Sequence, residues 1–164
     1  MSRSQSLNFK KLVEAHYAGL YRFAYCLAAN EQEACDLTQH TFFIYANHSA
    51  SIRDEAKIKT WLLTTLFHEH QRQQRANQHP VIQKLAAVAA TPEGVTALDG
   101  PRTAAILQQL DEIVRAPLAL FYLQELSYAE IAAMLQIPLD ELMSRLVRGK
   151  SQLKQHLLDH TRGD

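Results

Sequence analysis

The sequence predicts an all-α protein made of two small helical domains joined by a linker. Three observations predict it. Apolar residues recur at spacings of three and four over most of the chain, the period of an amphipathic helix. No segment alternates with period two for long enough to make a strand. The strongest helix breakers gather in one place: residues 79–102 hold three of the five prolines and two of the five glycines. That composition reads as a linker, with room for one short helix at Val81–Ala89. The domains are therefore expected at residues 7–76 and 103–161, with 77–102 between them.

The first helix is marked by Phe9, Leu12, Val13, Tyr17, Leu20, Tyr21, Phe23 and Ala24 along one face and runs to about Ala28. Asn30 can cap the next helix, with Glu31 and Glu33 in its first turn, where acids suit the helix dipole. That helix is expected from about Gln32 to Asn47. The polar run Ser51 to Ala56 breaks the pattern. A third helix starts near Ala56, carries Ile58, Trp61, Leu62, Thr65 and Leu66, and turns polar through "HEHQRQQR". Short connections between three such helices predict a compact bundle.

The second domain begins near Thr103, with Ile106, Leu107, Leu110, Ile113 and Val114 at helical spacing. Pro117 is expected to interrupt or kink that run. Ser127 with Glu130 three residues on is a capping box and predicts a short helix whose buried side is Ile131, Ala132 and Leu135. Gln136-Ile137-Pro138 ends it, and Pro138 leads into a long last helix. Leu139, Leu142, Leu146, Gly149, Leu153 and Leu157 mark its inner face. At about 100° per residue, Ser144, Arg148 and Ser151 point outward, flanked by Arg145 and Lys150. A short helix, a tight turn and an outward basic helix make the layout of a helix-turn-helix, whose second helix can enter a DNA major groove.

Bulk composition narrows the function classes. Lys+Arg and Asp+Glu number 17 each, so any nucleic-acid contact must come from a local patch. Cys26 and Cys35 lack metal or disulfide spacing and are expected as buried thiols of a reducing compartment. No apolar run reaches membrane-span length and the N-terminus lacks a signal-peptide core, so a cytoplasmic protein without membrane attachment is expected. His68-Glu69-His70 and the pair His156/His160 supply too few ligands for a metal site. There is no glycine-rich phosphate loop. Neither catalysis nor a cofactor is expected.

Three longer stretches carry a family resemblance. "LDEIVRAPLALFYLQELSYAEIAAMLQIPLDELMSRLVRGKSQLKQHL" resembles region 4 of the sigma-70 family in its small extracytoplasmic-function group. "NEQEACDLTQHTFFIYA" resembles the region 2 signature, with Asp36, Leu37, Gln39, Thr41 and Phe42 at the matching positions, and "IKTWLLTTLFHEHQRQQR" resembles the region 2 helix that follows. The resemblance implies a factor that binds core RNA polymerase, directs it to promoter DNA and answers to an anti-sigma or other regulatory protein. It implies that Asp36, Leu37 and Gln39 bind polymerase. Lys57, Lys59, Arg72 and Arg75 would meet DNA at the −10 element, while Trp61 reads as core. Ser144, Arg145, Arg148 and Lys150 would meet DNA at the −35 element.

The chain also departs from the family. Where members often carry Gly-Thr-Val-Lys before the Ser-Arg-Leu, this chain has Asp140, Glu141, Leu142 and Met143. Thr64 and Phe67 stand where basic residues are frequent. Residues 76–164 hold eight Lys and Arg against ten Asp and Glu. Acids at the head of a reading helix repel phosphates. The alternative expectation is therefore a sigma-like decoy or adaptor that binds a regulator or polymerase without reading promoters.

Overall fold

The computed structural model describes residues 3–28, 30–48, 52, 54–77 and 106–162. The linker expected at 77–102, apart from its first residue, and the short helix expected at Val81–Ala89 lie outside the described residues. The chain divides into two compact units, Met1–Val95 and Thr96–Asp164. All the regular structure among the described residues is helical.

In the first unit α1 (Arg3–Leu27), α2 (Glu31–His48) and α3 (Ile58–Asn77) pack pairwise on one another. Helix α1 starts ahead of the apolar residues that betray it. The cap expected at Asn30 is present: its Oδ1 accepts the Glu33 amide at 2.8 Å. A 3₁₀ turn, Glu55–Lys57, precedes α3 and is capped by Asp54, which accepts the Ala56 amide at 3.0 Å. Phe23, Leu37, Leu62, Leu63 and Leu66 form the centre of the core. Thr38 and Thr41 are fully buried, and each hydroxyl donates to the carbonyl four residues back, Ala34 and Leu37, at 2.7 and 2.8 Å. Those bonds remove the cost of burying the hydroxyls. Trp61, expected as core, is half-buried and meets Tyr45 edge-on at 5.6 Å, tying α3 to α2. Cys26 and Cys35 are both buried, as thiols outside any disulfide. The Tyr17 hydroxyl lies 3.7 Å from the Cys35 Sγ, and burial first, then that contact, pushes the phenol well above its ordinary pKa.

In the second unit α4 (Glu112–Gln124), α5 (Tyr128–Leu135) and α6 (Leu139–Arg162) pack pairwise. Pro117 does not interrupt the run: α4 continues through it, with Pro117 buried. The carbonyl it leaves without an in-helix donor is that of Ile113, a residue 48% exposed, where water can serve it. The break falls instead at 109–111, after a helical turn at 106–108. Arg115 holds it by donating from Nε to the Leu107 carbonyl at 3.1 Å and from Nη2 to those of Gln108 and Leu110 at 2.9 and 3.1 Å. The Leu107 carbonyl also accepts the Leu110 amide, at 3.1 Å.

The capping box of α5 is complete. Ser127 Oγ accepts the Glu130 amide at 3.2 Å, and Glu130 Oε2 accepts the Ser127 amide at 2.8 Å. The corner to α6 is made by Gln136 in the left-handed region, φ 56° and ψ 43°. The Ile137 amide donates to the Ala132 carbonyl at 3.1 Å and the Gln136 amide to that of Ala133 at 3.3 Å, the bond pair of a Schellman end. Helix α6 buries Leu142, Leu146 and Gly149, as expected. Leu139 and Leu157, read as inner-face residues, are 52% and 47% exposed. They lie toward the two ends of a 24-residue helix, longer than the 13-residue α4 and 8-residue α5 that cover it.

Candidate functional site

The face of α2 that carries Asp36 and Gln39 is solvent-exposed and polar. Gln32 Nε2 donates to Asp36 Oδ1 at 3.0 Å, and Gln39 Nε2 donates to Cys35 Sγ at 3.4 Å. Leu37 requires a correction. It is 1% exposed, so it can hold α2 in place but offers no surface to a partner. Sequence reasoning passed over Phe43, which is 64% exposed. It stacks with His40 at 6.3 Å between ring centroids. The available signal was its position: Phe43 stands seven residues after Asp36 and four after Gln39, on the same helix face. His40 Nε2 in turn lies 3.2 Å from Glu69 Oε2, across to α3.

The basic residues of the first unit do not converge. Lys57, in the 3₁₀ turn, and Lys59, in the first turn of α3, are exposed, whereas Arg72 and Arg75 lie near the end of α3, roughly 20 Å further along at 1.5 Å per residue. By helical phase Lys59 stands about 140° from Arg72. The charge of Lys59 reaches α1 instead: burial first, then Lys59, lowers the pKa of His16. Arg72 is committed within the chain, its Nε and Nη2 donating to Glu69 Oε2 at 3.1 and 2.7 Å. The Arg72 bond, ahead of the smaller contribution of His40, holds the Glu69 carboxyl below its ordinary value. Glu69 of the run His68-Glu69-His70 is thus occupied by Arg72 and His40. His160, the other half of the pair with His156, has its side chain outside the described residues.

On α6, Ser144, Arg148 and Ser151 are exposed as expected, and with Met143, Val147 and Gln152 they border a shallow open groove of about 610 Å³. Arg145 lies off this face; its side chain is 27% exposed and pairs with Glu141. Lys150 lies on the opposite flank, with its Nζ 4.9 Å above the centre of the Phe121 ring. It packs on α4 rather than standing outward, a cation–π contact. Arg148 Nη2 donates to Asp111 Oδ2 at 2.5 Å, and Gln152 Nε2 donates to the same oxygen at 2.8 Å. Asp111, a residue the sequence pattern did not single out, is thereby joined to the outward face. First Gln152, then Arg148, holds its carboxyl below the usual range. Leu139, Met143 and Val147 are exposed at four-residue spacing on α6. The outward face thus carries hydroxyls, apolar groups and one arginine already beside an acid.

No helix among the described residues is long and apolar enough to cross a membrane. The family model "Sigma-70 region 2" matches residues 12–79, and "Sigma-70, region 4" matches residues 102–153. A relative named ECF RNA polymerase sigma factor SigE, from Mycolicibacterium smegmatis, is 31% identical over 94% of this chain. The chain spans 63% of that relative's length. The ECF RNA polymerase sigma factor SigW of Bacillus subtilis is 27% identical, over 92% of this chain and 89% of its own. Among solved structures, the sigma factor RpoE of Bartonella quintana, in complex with the anti-sigma factor NepR, is 25% identical with a TM-score of 0.73 and covers 92% of this chain and 96% of its own. CnrH, in complex with the cytosolic domain of CnrY, shares the fold at 22% identity and a TM-score of 0.66, over 93% and 88% of the two chains. With both regions matched in order, and relatives of that name over nearly the whole chain, this protein belongs to the sigma-70 family, in its extracytoplasmic-function (ECF) group.

Proposed function

We propose that the chain is a sigma factor that directs core RNA polymerase to specific promoters and initiates DNA-templated transcription. The observation that carries this reading is the second unit. A capped short helix and a tight left-handed corner set α6 with Ser144, Arg148 and Ser151 facing outward, the arrangement that places side chains against base edges. The match of region 2 ahead of region 4 supports it. In this reading residues 7–76 form the polymerase-binding domain, 77–102 the linker and 103–161 the upstream-element reader. Asp36 and Gln39 meet polymerase on the α2 face, with Phe43 beside them as an apolar anchor. Lys57, Lys59 and Arg75 meet DNA phosphates, Arg72 only after giving up Glu69. Arg148 and Ser144 read the upstream element, with Arg145 in support. The chain works in the cytoplasm, performs no catalysis of its own, and is held in check by an anti-sigma protein, the class of partner with which its relative RpoE was solved.

Run-off transcription with added core polymerase tests this reading. Specific transcripts are expected, and Arg148→Ala and Arg145→Ala should lower promoter selectivity while leaving polymerase affinity unchanged. One feature favours a second reading, a decoy that binds partner proteins only. Helix α6 opens with Asp140 and Glu141 and exposes Leu139, Met143 and Val147, a surface better suited to protein than to phosphate. Polymerase binding with no transcript from any template would select the decoy.

A further inference from the structure

Asp111 occupies the N-cap position of α4, yet its carboxylate caps none of that helix's amides. An aspartate there ordinarily would, with a gain in stability. Its Oδ2 instead accepts from Arg148 and Gln152 of α6, and its own amide donates to Gln152 Oε1 at 3.3 Å. Stability does not account for the exchange. The side chains of Arg148 and Asp111 are 56% and 49% exposed, and ion pairs in such settings contribute little. The contacts do fix where the Arg148 guanidinium lies, on the outward face of α6 at the rim of the groove formed with Met143, Ser144, Val147 and Ser151.

An arginine can meet DNA in two ways. As a cation it binds any phosphate, whatever the sequence. As a planar fork it pairs with the two acceptors on a guanine edge and discriminates among bases. A carboxylate at Nη2 cancels most of the first attraction. It leaves the Nη1 hydrogens and the second Nη2 hydrogen for a base edge. We propose that Asp111 is a positioning residue that turns Arg148 from a phosphate-binding cation into a base reader, with Gln152 keeping the carboxylate in place. This rests on the reading of α6 as a promoter-reading helix. Asp111 lies 37 residues from Arg148 in the chain and 41 from Gln152, so only folding makes the set.

The test uses the full chain bound to core polymerase. A duplex is selected by the wild-type holoenzyme from a pool randomised over the upstream element, and its scrambled version serves as the comparison probe. Asp111→Asn keeps the size of the side chain and removes its charge. Its affinity for the scrambled duplex should rise, with a steeper salt dependence worth about one phosphate contact. Its preference for the selected duplex over the scrambled one should fall about fivefold, the low end of what a well-oriented arginine–guanine pair discriminates. In an Arg148→Ala background, where the preference is already low, Asp111→Asn should leave it unchanged. Asp111→Glu, which restores the charge, should restore the low scrambled-duplex affinity. An unchanged preference in Asp111→Asn overturns the proposal, as does an equal fall with Arg148 absent or a failure of Asp111→Glu to rescue. A pool from which the wild-type holoenzyme enriches no sequence overturns the promoter reading of α6 itself, and the role of Asp111 with it.

Discussion

Gly149→Ala sets two helix effects of opposite sign against each other. Alanine is worth about 1 kcal/mol over glycine in a helix interior, so propensity alone predicts a more stable protein. The packing predicts the reverse. A Cβ at position 149 would lie 2.7 Å from Leu118 Cδ1, 3.0 Å from Leu118 Cγ and 3.1 Å from Val114 Cβ. Carbon atoms in contact prefer about 3.5–4.0 Å, so α4 and α6 must separate by several tenths of an ångström at least. Leu118 cannot swing into solvent, since it is fully buried, as is Val114. The Val114 Cβ is attached directly to the backbone and can move only with α4. Overpacking of this kind costs about 1–3 kcal/mol. Subtracting the propensity gain leaves a net loss of about 1 kcal/mol, with about 2 as the upper end. Calorimetric unfolding of the full chain should show it as a fall of roughly 4–8 °C per kcal/mol in the transition of the second unit, with that of the first unit unmoved. Ser151→Ala, at an exposed position on the same helix, isolates the propensity effect and should stabilise slightly, by about 0.5 kcal/mol. A Gly149→Ala protein as stabilised as that control would refute the claim that the α4–α6 contact requires glycine.

Three further outcomes follow from the geometry. Gln136→Gly should stabilise the second unit by about 1 kcal/mol, read in the same calorimetric transition, because glycine adopts the left-handed corner without the penalty a Cβ brings; a loss would mean that the glutamine side chain itself braces the turn. Glu69→Gln should destabilise the first unit at neutral pH. The Glu69 carboxyl titrates below its ordinary 4.5 in the fold, so its contribution is present above that value and fades as pH falls through the lower folded one. The gap between wild type and variant should therefore close on acidification, and a gap independent of pH would assign the loss to packing alone. Phe43→Ala should weaken polymerase binding by about 2 kcal/mol, the scale of an aromatic hot spot, and the double variant Asp36→Ala with Gln39→Ala should weaken it further. Unchanged affinity in both, measured with purified core enzyme, would remove α2 from the interface.

The helices themselves were legible because their causes are local. Leu142, Leu146 and Gly149 announce one face of α6 by spacing, and Ser127 with Glu130 announces the start of α5 by two bonds that reach only three residues. The errors have a common origin. Pro117 reads as a break because a proline costs an isolated helix a hydrogen bond, but the core around α4 outweighs that cost. The true break at 109–111 is held by Arg115, whose three carbonyl partners no periodicity reveals. Leu139 and Leu157 read as inner because spacing says which side of a helix a residue is on, not whether anything covers it.

From the sequence alone came the all-helical class, the order of the elements, the capped corner before α6 and the face on which Arg148 lies. Tertiary structure alone decided how two of the charges on the last helix are spent: Lys150 on Phe121 and Arg148 on Asp111. Spacing is written into neighbouring residues by the turn of a helix. An ion pair between residues 37 apart depends on where two helices come to rest, which only the packing of their buried faces settles.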